Sequence, residues 1–199
     1  KQKTAYEIYQ CDWSSDVCSS DLQCLNGRTC EHRYKVANLL KTWPNGTLSY
    51  GTEIPLSAWD YGTYKGTENY ENFIRLLPVY QHTAVNIVTE TDYHHRPGVI
   101  CEKTLYAFVA KQIPVIIGHP GAVQDARDLG FDTFDDYIDH ARYDSEPDWK
   151  RRTQLMHSVL DEIMPNLKEI FDNTAERRKR NCELLKSPQF VAELLKTLK

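Results

Sequence analysis

The side chains with the most to say about chemistry are Glu102 and Lys103, adjacent charges standing before the apolar run Leu105-Tyr106-Ala107-Phe108-Val109. If a helix opens there, Lys103 falls in its first turn, where the dipole already presents about half a positive charge and a cation costs about 0.3 to 1 kcal/mol. That placement makes sense if an anion docks, because free backbone N–H groups, the dipole and the ammonium would all face one phosphate group. The competing reading, a lysine that points into solvent beside Glu102, has equal weight on physics alone. Arg96 precedes the pair, and a guanidinium grips a diphosphate with two prongs and stays charged at any working pH. Asn26, Arg28, His32 and Arg33 form a second basic group. Such a group suits a phosphate or an acceptor if it follows a strand, although surface loops are often basic by accident.

His94, His95 and His119 invite a metal, but no carboxylate or cysteine stands at a helical ligand spacing from them and adjacent histidines rarely share one ion. No metal is expected. His119, in the turn Gly118-His119-Pro120-Gly121, can instead donate to a phosphate or a sugar. Glu90 follows Thr89 at what reads as a strand end, where a carboxylate could act as acid or base but commonly does neither. There is no Ser-His-Asp spacing, P-loop or G-x-G-x-x-G, so hydrolase, kinase and dinucleotide readings have no positive support.

These residues need elements to position them. Leu22 to Asn26 is a strand candidate, followed by a loop and a helix from about Glu31 whose apolar positions Val36, Leu39, Leu40 and Trp43 fall on one face. Pro44-Asn45-Gly46 ends that unit, and Thr47 to Tyr50 offers a second short strand. Residues 51–70 read as a long surface loop, with a short helix near Tyr70 to Leu77. Ala84 to Thr89 is β-branched and ends on polar residues; Cys101 to Gln112 reads as a helix, and Ile113 to Ile117 as a strand covered on both faces. Ala122 to Leu129 is a helix stopped by Gly130, with Phe131 where a glycine C-cap places its hydrophobic contact. Thr133 and Asp136 resemble a capping box for a further helix. Beyond Pro147 the chain reads as helical, with Met156, Val159, Leu160 and Ile163 as one stripe and Pro165 as a break. The cluster Arg177-Arg178-Lys179-Arg180 reads as a solvated face rather than a binding site. Alternating strands and helices imply an α/β fold, Rossmann-like, with a mainly parallel sheet flanked by helices and a C-terminal helical extension. Ligands bind such sheets beyond the strands' carboxyl ends, so the loops after Asn26, Thr89 and Gly118 should share one rim.

The order Val-Thr-Glu-Thr at 88–91, a loop, then Cys-Glu-Lys-Thr-Leu-Tyr-Ala-Phe-Val-Ala-Lys-Gln-Ile-Pro-Val-Ile-Ile-Gly at 101–118 resembles the C-terminal donor-binding domain of α-1,3-fucosyltransferases and related two-domain glycosyltransferases. That pattern is Thr-Glu-Lys, an apolar helix, a small residue, Val-Pro-Val-Val and a glycine. The stretch from Leu25 through Asp144 is also similar to uncharacterised phage and environmental proteins built on that domain. The resemblance implies that Glu102 accepts hydrogen bonds from ribose hydroxyls and that Lys103 pairs with the diphosphate. Where the family has Thr before that Glu this chain has Cys101, and where it has Gly before the last strand this chain has Gln112. The donor-binding set expected is Glu102, Lys103, Arg96, His119, Gly118, Thr89, Glu90 and Arg28, with no catalytic base assigned. The activity implied is transfer of a sugar from a nucleoside diphosphate to a glycan, protein or small-molecule acceptor, with no separate cofactor. The same residues also allow a non-catalytic α/β binding or structural module, phage-encoded, that keeps the fold without the chemistry.

Composition bounds these readings. The chain has 199 residues, 41% of them hydrophobic, enough for one core with a helical appendage. Its formal net charge of -4 and pI near 6.0 leave no global field to draw it to nucleic acid, so any phosphate contact must be local. No apolar run approaches the roughly 20 residues that span a bilayer, which predicts a cytoplasmic protein without a membrane span. Scattered cysteines without a C-x-x-C spacing predict reduced thiols, and Asn45-Gly46-Thr47 reads as a turn rather than a glycosylation acceptor. Residues 11–22, Cys-Asp-Trp-Ser-Ser-Asp-Val-Cys-Ser-Ser-Asp-Leu, resemble one reading frame of a short-read sequencing adapter. The expected organisation is thus an orphan fragment at 1–10, an adapter-derived stretch at 11–22, a donor-binding domain at 23–145 and a helical extension at 146–199. A fragment lacking true upstream residues is expected.

Overall fold

The computed structural model describes residues 20–26, 30–41, 43, 45–50, 76, 79–91, 93–94, 100–188 and 190. Among these residues four strands, β1 (Ser20–Asn26), β2 (Gly46–Tyr50), β3 (Thr83–Thr89) and β4 (Ile113–Ile117), form one sheet in the order β2-β1-β3-β4, and each of their pairings is parallel. Between and after them lie α1 (Glu31–Leu40), α2 (Glu102–Val109), α3 (Ala122–Asp128), α4 (Ala141–Asp144), α5 (Trp149–Ile163), α6 (Leu167–Asn173) and α7 (Ala175–Leu184). This is an α/β, Rossmann-like arrangement with helices flanking a parallel sheet and more helices toward the C-terminus. Among the described residues no helix is long and apolar enough to cross a membrane.

The strands form where β-branched residues can be covered on both faces: every residue of β3 and β4 is buried. Leu22 of β1 lies in register with Val85 of β3 and Gly46 of β2, and all the carboxyl ends therefore emerge at one edge. β1 starts at Ser20, so Ser20, Asp21 and Leu22 of the adapter-like stretch are strand residues and the boundary drawn after residue 22 falls inside β1. One layer of the sheet is polar and still dry. Gln112 accepts at Oε1 from Asn86 (2.9 Å) and Gln23 (3.3 Å) while donating to the carbonyls of Tyr80 (2.9 Å) and Thr83 (3.1 Å). It staples β1, β3 and the turn that enters β3.

Three helix expectations shift. The buried face of α1 is Arg33, Val36, Ala37 and Leu40, with Leu39 and Trp43 only partly covered; the i, i+3, i+4, i+7 spacing holds, but a guanidinium occupies its first position. α2 stops at Val109 instead of Gln112, because Lys111 turns left-handed at φ 54° and Gln112 is needed in the core staple. The capping box at Thr133 caps no helix: its hydroxyl bonds Asp135 (2.9 Å), Phe134 adopts φ 62°, and the next helix waits until Ala141. The glycine stop is as expected, with Gly130 at φ 91°, its N–H on Arg127 O (2.8 Å) and that of Phe131 on Ala126 O (3.1 Å). The described part of the short helix expected near Tyr70 to Leu77 is Leu76, and residues 51–70 lie outside the described residues.

The C-terminal helices are fastened to the sheet domain by charges that read as solvated in the sequence. Arg177 pairs bidentately with Asp132 (2.6 and 2.8 Å) and with Asp136 (2.7 and 2.8 Å). Arg178 donates to the carbonyls of Lys111 (2.6 Å) and Phe171 (2.9 Å) with its guanidinium 3.4 Å from the Phe171 ring centre. Lys179 and Arg180 alone of that run are exposed. Met156, Val159, Leu160 and Ile163 are buried as one stripe, and Pro165 opens a single 3-10 turn, Met164–Asn166.

Phe108, 1% exposed, stacks on Phe131 with ring centres 3.9 Å apart, joining α2 to the segment after α3. Phe108→Ala is expected to cost about 3 to 5 kcal/mol of stability. Urea unfolding at constant m-value measures this, and a loss under about 1 kcal/mol would show that the two layers do not share one core.

Candidate functional site

The rim is built around Glu90. Leaving β3, this residue donates its N–H to Ile117 O (2.9 Å), and its side chain turns inward, 5% exposed, to the start of α2. There Oε2 accepts the N–H of Cys101 (2.9 Å) and Oε1 accepts the hydroxyl of Thr104. Cys101, the N-cap, offers no side-chain cap of its own, so a carboxylate from a neighbouring strand completes the helix start. Gly118 makes the approach feasible. A Cβ there would stand 2.7 Å from Glu90 Cβ and 3.1 Å from Ala122 Cβ.

That junction sets the first turn of α2. Lys103 Nζ bonds Glu102 Oε1 at 2.8 Å, with side-chain exposures of 23% and 38%. Burial alone would raise the Glu102 carboxyl; the hydrogen bond and charge of Lys103, its own backbone N–H and the field of Arg33 together hold it below the usual carboxylate range. Burial, reinforced by the Glu90 charge, pushes the Cys101 thiol up to about 12, so it is an inert neutral group at the helix start.

A second set of side chains comes from α1 and α5. Arg33 is 2% exposed and donates from Nη2 to Thr89 O (3.3 Å) and Thr91 Oγ1 (3.4 Å). It makes no ion pair among the described residues, and its Nε has no hydrogen-bond partner. Arg152, 1% exposed, donates to the carbonyls of Tyr93 (2.8 Å) and Glu146, and its guanidinium lies 4.7 Å from the Tyr93 ring centre. On the same ring stacks His32, 4.3 Å away and 15° from parallel. His32 Nε2 meets Glu90 O at 3.3 Å and Cys30 Sγ at 3.6 Å. Burial, with the Arg33 charge next in size, lowers the His32 imidazole to about 4. It is neutral at physiological pH.

Of the residues expected from sequence, Glu102, Lys103, Glu90, Thr89 and Gly118 do meet at one edge of the sheet. Thr89, 1% exposed, bonds Asn26 Oδ1 from the end of β1. Glu90 is engaged in capping, and His119, 3% exposed, is held 2.9 Å from Asp125 Oδ2, so neither presents a free side chain. Arg28 and Arg96 lie outside the described residues. Arg152 was missed in sequence although a signal exists: it precedes Met156 by four positions, so the period of the apolar stripe runs through it.

Fold and rim together define an α/β protein with a Rossmann-like parallel sheet and a cluster of charged groups at its carboxyl edge. No family model matches the chain, and neither does any curated protein or solved structure.

Two measurements check this geometry. Gly118→Ala should destabilise by about 1 to 3 kcal/mol, because the added methyl meets the Glu90 and Ala122 side-chain stems; an unchanged denaturation midpoint would contradict the close approach. For His32, the unfolded chain takes its proton near pH 6.5 and the folded one near 4, so the unfolded state binds more protons in that interval and stability falls as pH drops through it. Thermal unfolding of His32→Gln should lose that component, and parallel pH curves for variant and wild type would count against a desolvated His32.

Proposed function

We propose that this rim binds a nucleoside-diphosphate sugar and that the chain is the donor-binding part of a glycosyltransferase. In that reaction the bond between the sugar's anomeric carbon and the diphosphate oxygen breaks, and the diphosphate leaves with the electron pair. An acceptor hydroxyl forms the new bond and gives its proton to a base. Groups that stabilise the charge gathering on the diphosphate are then the ones that accelerate the step.

The observation that carries the reading is Arg33, a desolvated guanidinium beneath the rim with a carbonyl and a hydroxyl partner and, among the described residues, no carboxylate. A buried cation without a counter-ion is costly, and in low-dielectric surroundings its positive field reaches the adjoining rim. Lys103 adds a movable charge at the same edge. Its pairing with Glu102 is partly exposed and worth at most about 1 kcal/mol, so a phosphate can take the ammonium cheaply and leave Glu102 to accept from ribose hydroxyls. These features, with the resemblance of residues 101–118 to the donor domain of fucosyltransferases, support the reading. No described residue is assigned the base, and the sugar and the acceptor are left open.

A non-catalytic binding module is the second reading, favoured by the internal engagement of the acid–base candidates Glu90 and His119. Titration with GDP and UDP tests the shared core of both. Saturable binding is expected, weakened roughly ten- to a hundredfold by Lys103→Ala, the worth of a charge-assisted hydrogen bond. Equal affinity in wild type and variant would remove Lys103 from the site. Hydrolysis or transfer of a bound donor separates enzyme from module.

A further inference from the structure

Resting on the anion-binding reading above, we propose that the rim takes up a nucleoside diphosphate together with one proton, and that Nδ1 of His32 holds that proton. The argument starts from the tautomer. A carbonyl oxygen only accepts, so the 3.3 Å contact to Glu90 O requires Nε2 of His32 to carry the hydrogen. Nδ1 is then a bare lone pair, and it makes no hydrogen bond among the described residues. A lone pair beside an incoming phosphate oxygen repels it, whereas an N–H attracts it.

Neutrality in the free state has identifiable causes. Among the described residues, the charged and titratable groups facing His32 are Arg33 on its own helix, Cys30 at the cap of α1, Tyr93 and His94 from the chain after β3, and Arg152 from α5. Glu90 contributes only its carbonyl, since its carboxylate is turned to Cys101 and Thr104. The charges that these residues bring to His32 are thus cationic, and they add to burial in keeping the second proton off. An anion docking over Arg33 reverses that balance, and the reciprocity of linked equilibria requires that proton uptake tighten anion binding by the same factor. The step is a single proton transfer: an O–H bond of a solvent hydronium breaks and an N–H bond forms at Nδ1, with no change of oxidation state. The ring cannot swing away to avoid the anion without leaving its stack on Tyr93, which Arg152 and Thr153 fix in place.

The test is GDP affinity between about pH 5.5 and 8 for wild type and His32→Gln, whose amide can still donate to the Glu90 carbonyl. The phosphates' own ionisation affects both proteins equally. Wild-type affinity should fall with pH more steeply than the variant's by up to roughly tenfold per pH unit, the slope for one linked proton. In parallel, the imidazole of His32 in the unaltered protein is followed by NMR with and without inorganic pyrophosphate. Its titration midpoint should rise by about two units or more on saturation, into the pH range of the affinity measurement. Equal pH slopes with GDP bound, or a midpoint that pyrophosphate leaves in place, overturns the proton coupling and leaves donor binding standing. Failure of the wild type to bind GDP at any pH overturns both.

Discussion

A carboxylate removed from water must find donors, and at the end of β3 that requirement decides the local architecture. Glu90 reaches the backbone N–H of Cys101 and the hydroxyl of Thr104, which fixes the start of α2 against the end of β3. One side chain thereby ties the end of β3 to the start of α2. For the carboxylate to lie there, the residue that follows β4 must carry no Cβ, hence Gly118. The orientation of Glu102 and Lys103 follows, because they are the next residues of the helix so placed. A negative charge at this helix start also offsets the dipole that makes Lys103 unfavourable there.

The other half of the rim answers to the opposite sign. Arg33 and Arg152 come from different helices, both almost fully buried; Arg33 donates to the carbonyl of Thr89 and the hydroxyl of Thr91, and Arg152 to the carbonyls of Tyr93 and Glu146. Carbonyl dipoles solvate a guanidinium without cancelling its charge. The result is that two buried guanidinium charges lie beside the rim, in a chain whose net charge is -4. Acidic residues are plentiful elsewhere, as in Asp132, Asp135, Asp136 and Asp139. They are spent on Arg177, Arg127 and Arg142 around the later helices. The segregation of sign, rather than its total, is what a phosphate would sense.

How much of this could be read in the residue order depends on the range of the interaction. Strands β3 and β4 and the glycine stop after α3 are local patterns of β-branching and left-handed backbone, and they were legible to within a residue or two. The end of α2 was not, because Gln112 continues the helical pattern by propensity and is pulled out by partners at Asn86 and Tyr80 that adjoin it only in the fold. Thr133 failed for a related reason. Its capping pattern with Asp136 is real in sequence, but Asp135 and Arg127 claim the hydroxyl. Glu102 and Lys103 were found because a cation at a helix start is locally anomalous. The capping role of Glu90 was hidden, since it depends on a contact between β3 and α2. Arg33 was visible as a basic residue, though nothing in its neighbours announced burial.

A comparison of magnitudes decides which of these charges is available for a ligand. Glu90 holds two donors in a dry site, and removing such a group from its partners costs the full desolvation penalty of a buried charge, several kcal/mol. His119 and Asp125, with side-chain exposures of 4% and 5%, are bound by the same cost. The Glu102–Lys103 pair lies at the opposite extreme, wet enough that breaking it costs about as much as thermal energy allows. A rim built this way divides its labour. Its buried charges hold the geometry and act on a ligand only through their field, while the partly exposed Glu102–Lys103 pair is free to rearrange. A ligand that brings both an anion for Lys103 and hydroxyls for Glu102 satisfies the two halves of that pair at once, and a nucleoside diphosphate carries both on neighbouring groups.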